Sequence, residues 1–125
     1  MSESSGTSRP TILHVSTRSS LSSIRDQILR VAGYEVISCP EYEPAGLARI
    51  VPVDLILIDV ANERQVHEAE HLCSTLKSHD PAKRVAFVCN WQVAFTSDCP
   101  DEIVRSEFDP AAFVNGIAGL LQPPE

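Results

Sequence analysis

The sequence contains no long apolar run. A membrane-spanning helix needs about 20 consecutive apolar residues, and none of the apolar stretches in the 125-residue chain approaches that length. Residues 1–9, MSESSGTSR, also lack the apolar segment of a signal peptide. We therefore expect a cytoplasmic protein that has no membrane partner.

Positive charge is scarce. The chain has 10 lysine and arginine residues against 17 aspartate and glutamate residues, which gives a net charge of −7. Its basic residues do not cluster, whereas a protein that follows a phosphate backbone needs clustered Lys and Arg side chains. The charge pattern therefore predicts that nucleic acid is not a partner.

Several motifs that carry chemistry are missing. The sequence has no G-x-S-x-G elbow, Walker loop or G-x-G-x-x-G fingerprint, so it gives no support to hydrolases, NTPases or dinucleotide-binding enzymes. The cysteines form neither a C-x-x-C pair nor a zinc spacing; they are Cys39, Cys73, Cys89 and Cys99. This pattern favours buried free thiols over a metal or redox site.

One short pattern, HEAEH at residues 67–71, matches the zinc motif H-E-x-x-H. The helix that contains it has an apolar stripe of Val66, Ala69, Cys73 and Leu76, which turns both histidines towards solvent. A catalytic zinc site needs protected ligands and a third one, and no third ligand is evident. We interpret the pattern as a solvated helix face; adventitious metal binding is the alternative.

The most informative stretch is the apolar run VDLILIDV at residues 53–60. Its length and its β-branched residues are typical of a strand that is buried on both faces, as in the centre of a parallel sheet. Asp59 stands near the end of this run. In open α/β sheets, ligands bind at the carboxyl ends of the strands, so Asp59 is the principal candidate for a functional group.

The rest of the chain alternates between strand and helix patterns. Residues 1–10 are predicted to form a disordered tail, and residues 11–122 a single domain. The predicted strands are 11–15, 34–39, 53–60, 85–89 and 102–105; the predicted helices are 21–32, 44–50, 63–78 and 110–122, and residues 90–101 stay unassigned. In the first helix Leu21, Ile24, Ile28 and Val31 form the expected core stripe, and Gly33 the C-cap. The fold class is α/β, with a doubly wound five-stranded parallel sheet.

Four pieces of sequence, in this order and spacing, resemble the receiver domain of bacterial two-component response regulators. They are ILHV at 12–15, GYEV at 33–36, DLILIDV at 54–60 and FDP at 108–110 before an apolar helix. The resemblance implies a flavodoxin-like receiver fold. It also implies that Asp59 is the candidate phosphoacceptor, which receives a phosphoryl group from a histidine kinase.

The rest of the receiver site departs from the family pattern. Ser16 and Thr17 replace the acidic pair that holds Mg²⁺ in the family, and neutral hydroxyls supply no charge for a hard cation. Cys89 takes the place of a Ser or Thr, and Ser106 that of a lysine. The aromatic switch position is Ile103.

One loop residue offers a replacement for the missing cation. Arg18 follows Ser16 and Thr17 in the sequence, and its guanidinium could lie beside Asp59. A solvated loop arginine is the alternative. Trp91 and Phe95 are candidates for exposed interface residues, with core burial as the alternative for Phe95.

These departures predict an atypical receiver, or pseudo-receiver, that is not an enzyme and needs no cofactor. It would act by protein–protein interaction with a signalling protein, either a histidine kinase or a downstream effector. A homodimer is compatible with the dimerisation face of the family. The alternative is a phosphorelay receiver that binds Mg²⁺ and is phosphorylated on Asp59.

Overall fold

The computed structural model describes residues 9–15, 20–39, 53–60, 63–89, 95, 98–105 and 110–121. The strands are β1 (Thr11–Val15), β2 (Glu35–Cys39), β3 (Leu55–Val60), β4 (Val85–Cys89) and β5 (Glu102–Arg105). The α-helices are α1 (Ser20–Val31), α2 (Val66–His79) and α3 (Pro110–Leu121), and a 3₁₀ turn, Glu63–Gln65, precedes α2. Residues 1–8, the predicted helix at 44–50 and most of the unassigned segment 90–101 lie outside the described residues.

The strands form one five-stranded sheet in the order β2-β1-β3-β4-β5. All four neighbouring pairs are parallel. The central strand is β3, and all six of its residues are buried. This confirms the predicted parallel sheet, and it confirms that the apolar run around Asp59 lies at its centre.

Helices cover the sheet on both sides. On one side, which we call the α2 face, alternate strand residues pack against α2. The helix residues include Ala69, Cys73 and Leu76, and the strand residues include Leu13, Ile56, Ile58 and Phe87. The residues between them, among them Ile12, Leu55, Leu57 and Val88, pack with Leu29 of α1 and with Phe113 and Ile117 of α3; we call this side the α1/α3 face. Each fully buried aliphatic side chain contributes about 1.5–3 kcal/mol. The predicted doubly wound architecture is confirmed.

The predicted core stripe of α2 is confirmed, and that of α1 is wrong in part. The buried side of α2 contains Ala69, Cys73 and Leu76, as expected. In α1, however, Ile24 is 50% exposed and Val31 is 88% exposed. Among residues 24–31 of this helix the buried ones are Arg25 and Leu29, which lie four positions apart on one side of the helix. Ile28 of the predicted stripe packs partly against the α1/α3 face. An arginine therefore lies on the inner side of α1, while two residues of the predicted apolar stripe lie on its outer side.

The H-E-x-x-H pattern lies on α2 with His67 and His71 exposed. This confirms that the two histidines face solvent. A catalytic zinc site needs protected ligands, so the pattern on this helix is a surface feature.

No helix in the described ranges combines the length and the apolar character that a membrane span requires.

The C-terminus of α1 closes with the glycine that the sequence indicates. Gly33 has a φ of 107°, a conformation that side chains with a Cβ disfavour. The Gly33 N–H donates to the Arg30 carbonyl at 3.0 Å, and the Tyr34 N–H donates to the Leu29 carbonyl at 3.1 Å. These two hydrogen bonds form a Schellman motif, so Gly33 is the C′ residue of the helix.

We expect Gly33→Ala to lower the free energy of unfolding by about 1–2 kcal/mol, because alanine is strained at positive φ. Urea unfolding measures the change. Gly119→Ala in α3 is the matched control, since an added Cβ there meets no atom within 4 Å and alanine is the better helix former, by about 1 kcal/mol. Equal destabilisation by both substitutions would contradict this account of Gly33.

Candidate functional site

Asp59 lies one residue before the end of β3, next to Val88 of β4 in the sheet register. Its side chain is on the α1/α3 face, because Leu55 and Leu57 at the alternate positions pack there. Only 4% of Asp59 is exposed. A carboxylate this deeply buried must be compensated by partners, and the neighbouring elements supply them.

The first partner of Asp59 is an arginine from α1. The Nη1 atom of Arg25 donates a hydrogen bond to Oδ1 of Asp59 at 2.6 Å, and 5% of Arg25 is exposed. Charge-assisted hydrogen bonds of this length are among the strong ones. The charge of Asp59 therefore explains why an arginine, and not an apolar residue, is buried on the inner side of α1.

The second partner is His14 in β1, which lies between two carboxylates. Its Nε2 atom is 3.1 Å from Oδ2 of Asp59, and its Nδ1 atom is 2.5 Å from Oδ1 of Asp26 on α1. An ionised carboxylate only accepts hydrogen bonds, so both ring nitrogens must donate. This geometry calls for the protonated, positively charged imidazolium.

The pKa values of His14 and Asp26 shift in the directions that this geometry requires. Burial alone lowers the pKa of His14, but hydrogen bonds and charge from Asp26 and Asp59 outweigh burial and raise that pKa. Burial alone raises the pKa of Asp26, but hydrogen bonds from His14 and Ser38 outweigh it and lower that pKa. The hydroxyl of Ser38 in β2 donates to Oδ2 of Asp26 at 2.5 Å.

We call Asp26, His14, Asp59 and Arg25 the charge network. Its charges alternate in space as negative, positive, negative and positive, so they sum to zero when His14 is protonated. Neutrality within a hydrogen-bonded cluster is what allows these ionised groups to be buried. The network ties β1 and β3 to α1, and Ser38 adds β2.

The geometry around Asp59 does not fit Mg²⁺, the ion that the receiver resemblance implies. One carboxylate oxygen accepts from Arg25 and the other from His14, so a divalent cation would meet two positive groups. The described ranges also contain no group of three or more His, Cys, Asp or Glu side chains that could hold a metal. Mg²⁺ prefers several oxygen ligands, most of them anionic or water.

The structure does not bring the other described candidate, Cys89, to the side of the sheet that holds Asp59. Cys89 is fully buried and packs on the α2 face with Val60. Its sulfur lies 3.5 Å from Nη1 of Arg105. Ile103 also packs on the α2 face. The remaining candidates, Ser16, Thr17, Arg18 and Ser106, lie outside the described residues.

The two aromatic candidates for interface residues differ in their outcome. The ring of Phe95 lies 5.1 Å from that of Phe87, and Phe95 packs against the core of the α2 face. The guanidinium of Arg105 lies 5.9 Å from the centre of the Phe95 ring, within range of a cation–π contact. Phe95 is thus partly buried against the core, and Trp91 lies outside the described residues.

Sequence reasoning found Asp59 but missed the residues that surround it. The sequence predicts His14 in a strand and gives it no role, and Arg25 and Asp26 lie off the predicted core stripe of their helix. One signal was available: a histidine interrupts the apolar strand TILHV at a buried position. A titratable side chain in a buried strand needs partners, and adjacent charges on the next helix are the nearest source.

Loss of Arg25 leaves the Asp59 charge buried with less compensation. We expect Arg25→Met to lower the free energy of unfolding by about 3–5 kcal/mol, and the double substitution Arg25→Met/Asp59→Leu to recover most of that loss. Chemical denaturation of the two variants tests the coupling. Arg30→Met is the matched control: Arg30 is an exposed arginine of the same helix that donates to the Val36 carbonyl, and the expected change is under about 1 kcal/mol. Failure of the double variant to recover stability would contradict the ion-pair account.

Stability should depend on pH through His14. Because folding raises the pKa of His14 above its ordinary value of 6.5, its contribution is complete below that value and is lost as the pH rises through the folded pKa. We expect the free energy of unfolding to fall by up to about 1.4 kcal/mol per pH unit in that window. Urea unfolding at a series of pH values measures the slope. His14→Gln should flatten it and His67→Gln, at an exposed position, should not; an unchanged slope in His14→Gln would refute the role of His14.

Comparison with solved structures identifies the fold. The chemotaxis response regulator CheY4 of Vibrio cholerae is 16% identical, with a TM-score of 0.75 over 91% of this chain and 100% of that chain. The response regulator TrrA of Thermotoga maritima, solved in complex with Mg²⁺–BeF, is 18% identical, with a TM-score of 0.71 over 90% of this chain and 99% of that chain.

The receiver domain of the hybrid histidine kinase CckA is 18% identical, with a TM-score of 0.65 over 90% of this chain and 99% of that chain. No family model and no curated protein sequence matches the chain. Identities this low establish a shared architecture, and function has to be argued from the site. The chain therefore has the CheY-like fold of response regulator receiver domains.

Proposed function

We propose that the protein is an atypical receiver that acts in two-component signal transduction by binding another signalling protein, with Mg²⁺-dependent phosphorylation of Asp59 impaired. It would act by binding and not by catalysis. The observation that carries the proposal is the buried ion pair of 2.6 Å between Arg25 and Asp59. The proposed partner is a histidine kinase or a downstream effector.

A phosphoacceptor needs an oxygen that is free to attack the phosphorus atom. In this protein Oδ1 of Asp59 accepts from Arg25, and Oδ2 accepts from His14. Each oxygen keeps a further lone pair, but Asp59 is only 4% exposed, so a phosphodonor could reach it only if the packing around the carboxylate opened. Because phosphoryl transfer depends almost wholly on positioning and on charge stabilisation, the loss of an accessible oxygen supports impaired transfer.

The metal requirement adds a second obstacle. A divalent ion bound at Asp59 would stand beside the positive charges of Arg25 and His14, and Coulomb repulsion opposes this. The sequence also places the neutral hydroxyls of Ser16 and Thr17 where the receiver family has its acidic pair. In this proposal Asp59 stands at the position of the receiver acceptor, and Arg25 and His14 supply the positive charge that a metal ion would otherwise supply.

An apolar groove between two helices supports a binding role. A groove of about 580 Å³ runs between α1 and α3, and its lining includes Ile24, Ile28, Val31, Pro110 and Val114. Ile24 and Val31 are large apolar residues that α1 leaves exposed. Contiguous exposed apolar surface is typical of sites that bind other proteins. The rotation of α1 that buries Arg25 therefore also creates apolar surface for an interaction.

Phosphorylation can be tested directly. The folded protein is incubated with acetyl phosphate and Mg²⁺, and its intact mass is recorded over time. We expect no addition of the roughly 80 Da that one phosphoryl group contributes. Binding of Mg²⁺, followed by calorimetry, should likewise be absent at millimolar concentrations of the ion.

A receiver domain of the same fold that is known to accept phosphate provides the positive control for the reagents. Asp59→Asn, with its folding checked by circular dichroism, identifies the site of any modification. A mass increase in the wild-type protein that disappears in Asp59→Asn would overturn the proposal and establish the alternative, a phosphorelay receiver that uses Asp59.

A further inference from the structure

Two cysteines that are distant in sequence meet on the α2 face. The sulfur of Cys73, in α2, lies 2.8 Å from the sulfur of Cys99, just before β5. Neither cysteine is in a disulfide bond; Cys73 is buried, and Cys99 is partly exposed. A disulfide bond has a length of about 2.05 Å, so the two sulfur atoms need to approach by less than about 1 Å to be joined.

A second contact holds the same two segments together. The ammonium group of Lys77 lies 2.7 Å from Oδ2 of Asp101. The same carboxylate oxygen accepts the backbone N–H of Val85 at 2.9 Å, and the Asp101 N–H donates to the Val85 carbonyl at 2.8 Å. Lys77 lies one helical turn after Cys73, and Asp101 lies two residues after Cys99, so the backbone packing itself brings the thiols together.

We propose that Cys73 and Cys99 form a redox site in which a peroxide oxidises the two thiols to an intramolecular disulfide. The proposal goes beyond the signalling role above and does not depend on it. The sequence favours buried thiols without a redox role, because nothing in it indicates that residues 73 and 99 meet. The contact between the two sulfur atoms changes this expectation.

The oxidation proceeds in two balanced steps. The thiolate of Cys99 attacks one oxygen of hydrogen peroxide and the O–O bond breaks, so that Cys99 becomes a sulfenic acid and hydroxide leaves. The hydroxide takes up the proton that the Cys99 thiol released on ionisation and becomes water. The sulfur of Cys73 then attacks the sulfur of Cys99 and forms the S–S bond. The S–O bond breaks, and the departing hydroxide takes the proton of Cys73 to leave as water. In sum, two thiols and one peroxide give one disulfide and two waters.

The surroundings assign different roles to the two thiols. Burial, together with the hydrogen bond to Cys99, raises the pKa of Cys73, so this thiol stays protonated and is a poor first nucleophile. Cys99 is the more exposed of the two and meets the oxidant first. Cys73 is then the resolving thiol, since its sulfur is already in contact with that of Cys99.

The disulfide would fasten the middle of α2 to the segment that enters β5. At present these segments are joined by the Lys77–Asp101 ion pair, in which Asp101 is exposed. Covalent closure would make this connection permanent under oxidising conditions, and a thiol reductant would reverse it. In a reducing compartment, a bond of this kind forms transiently and reports the presence of oxidant.

The test treats the wild-type protein and the variant Cys39→Ser/Cys89→Ser with hydrogen peroxide. Remaining thiols are then alkylated in denaturant and counted by intact mass. Before alkylation we expect a mass about 2 Da lower from the loss of two hydrogens. After alkylation we expect two fewer alkylated thiols and a cross-linked peptide pair that contains Cys73 and Cys99. Dithiothreitol should restore both thiols. The oxidised form should melt at a temperature roughly 10 °C higher, because the bond restricts the unfolded chain.

The matched controls are Cys99→Ser and Cys73→Ala, neither of which should form the intramolecular bond. Peptide mapping of the wild-type protein keeps the test decisive if a variant fails to fold. Full alkylation of Cys73 and Cys99 after peroxide treatment would overturn the proposal. A bond between different molecules, or conversion of Cys99 to a sulfinic acid while Cys73 remains free, would overturn it as well.

Discussion

The ion pair between Arg25 and Asp59 constrains the arrangement of the elements around it. An ionised carboxylate in the middle of a sheet needs a positive partner at hydrogen-bond distance, and α1 supplies that partner from its inner side. Once Arg25 points inwards, Leu29 is buried one turn later, while Ile24 and Val31 are left on the surface. The same rotation brings Asp26 to His14. One electrostatic requirement thus decides which side of α1 packs on the sheet.

The elements that the sequence predicted well are those whose signals are local. Strands 11–15, 85–89 and 102–105 are β1, β4 and β5 within the same bounds, because short apolar or β-branched runs between turn signals specify strands. The buried stripe of α2 and the Gly33 cap of α1 also follow from adjacent residues. The inner face of α1 could not be predicted in this way, since it depends on a charge 34 positions further along the chain.

The site shows the same division between local and long-range information. Asp59 stands out because a carboxylate ends an apolar run, whereas its partners come from β1 and α1, and their proximity is a result of folding. The arginine that the sequence suggests is Arg18, which lies outside the described residues. Arg25 contacts Asp59 through the packing of α1 on the sheet. The contact between Cys73 and Cys99 likewise spans 26 residues and has no sequence signature.

His14 joins two carboxylates that belong to different elements, and this restricts which substitutions the site can accept. Placing acids at positions 16 and 17 would not by itself recreate a metal site, because Arg25 and His14 would still occupy the oxygens of Asp59. Replacing either one alone leaves an uncompensated charge inside the protein, so the effects of such changes are strongly coupled. Stepwise conversion of this site into a metal site would therefore pass through variants of lower stability.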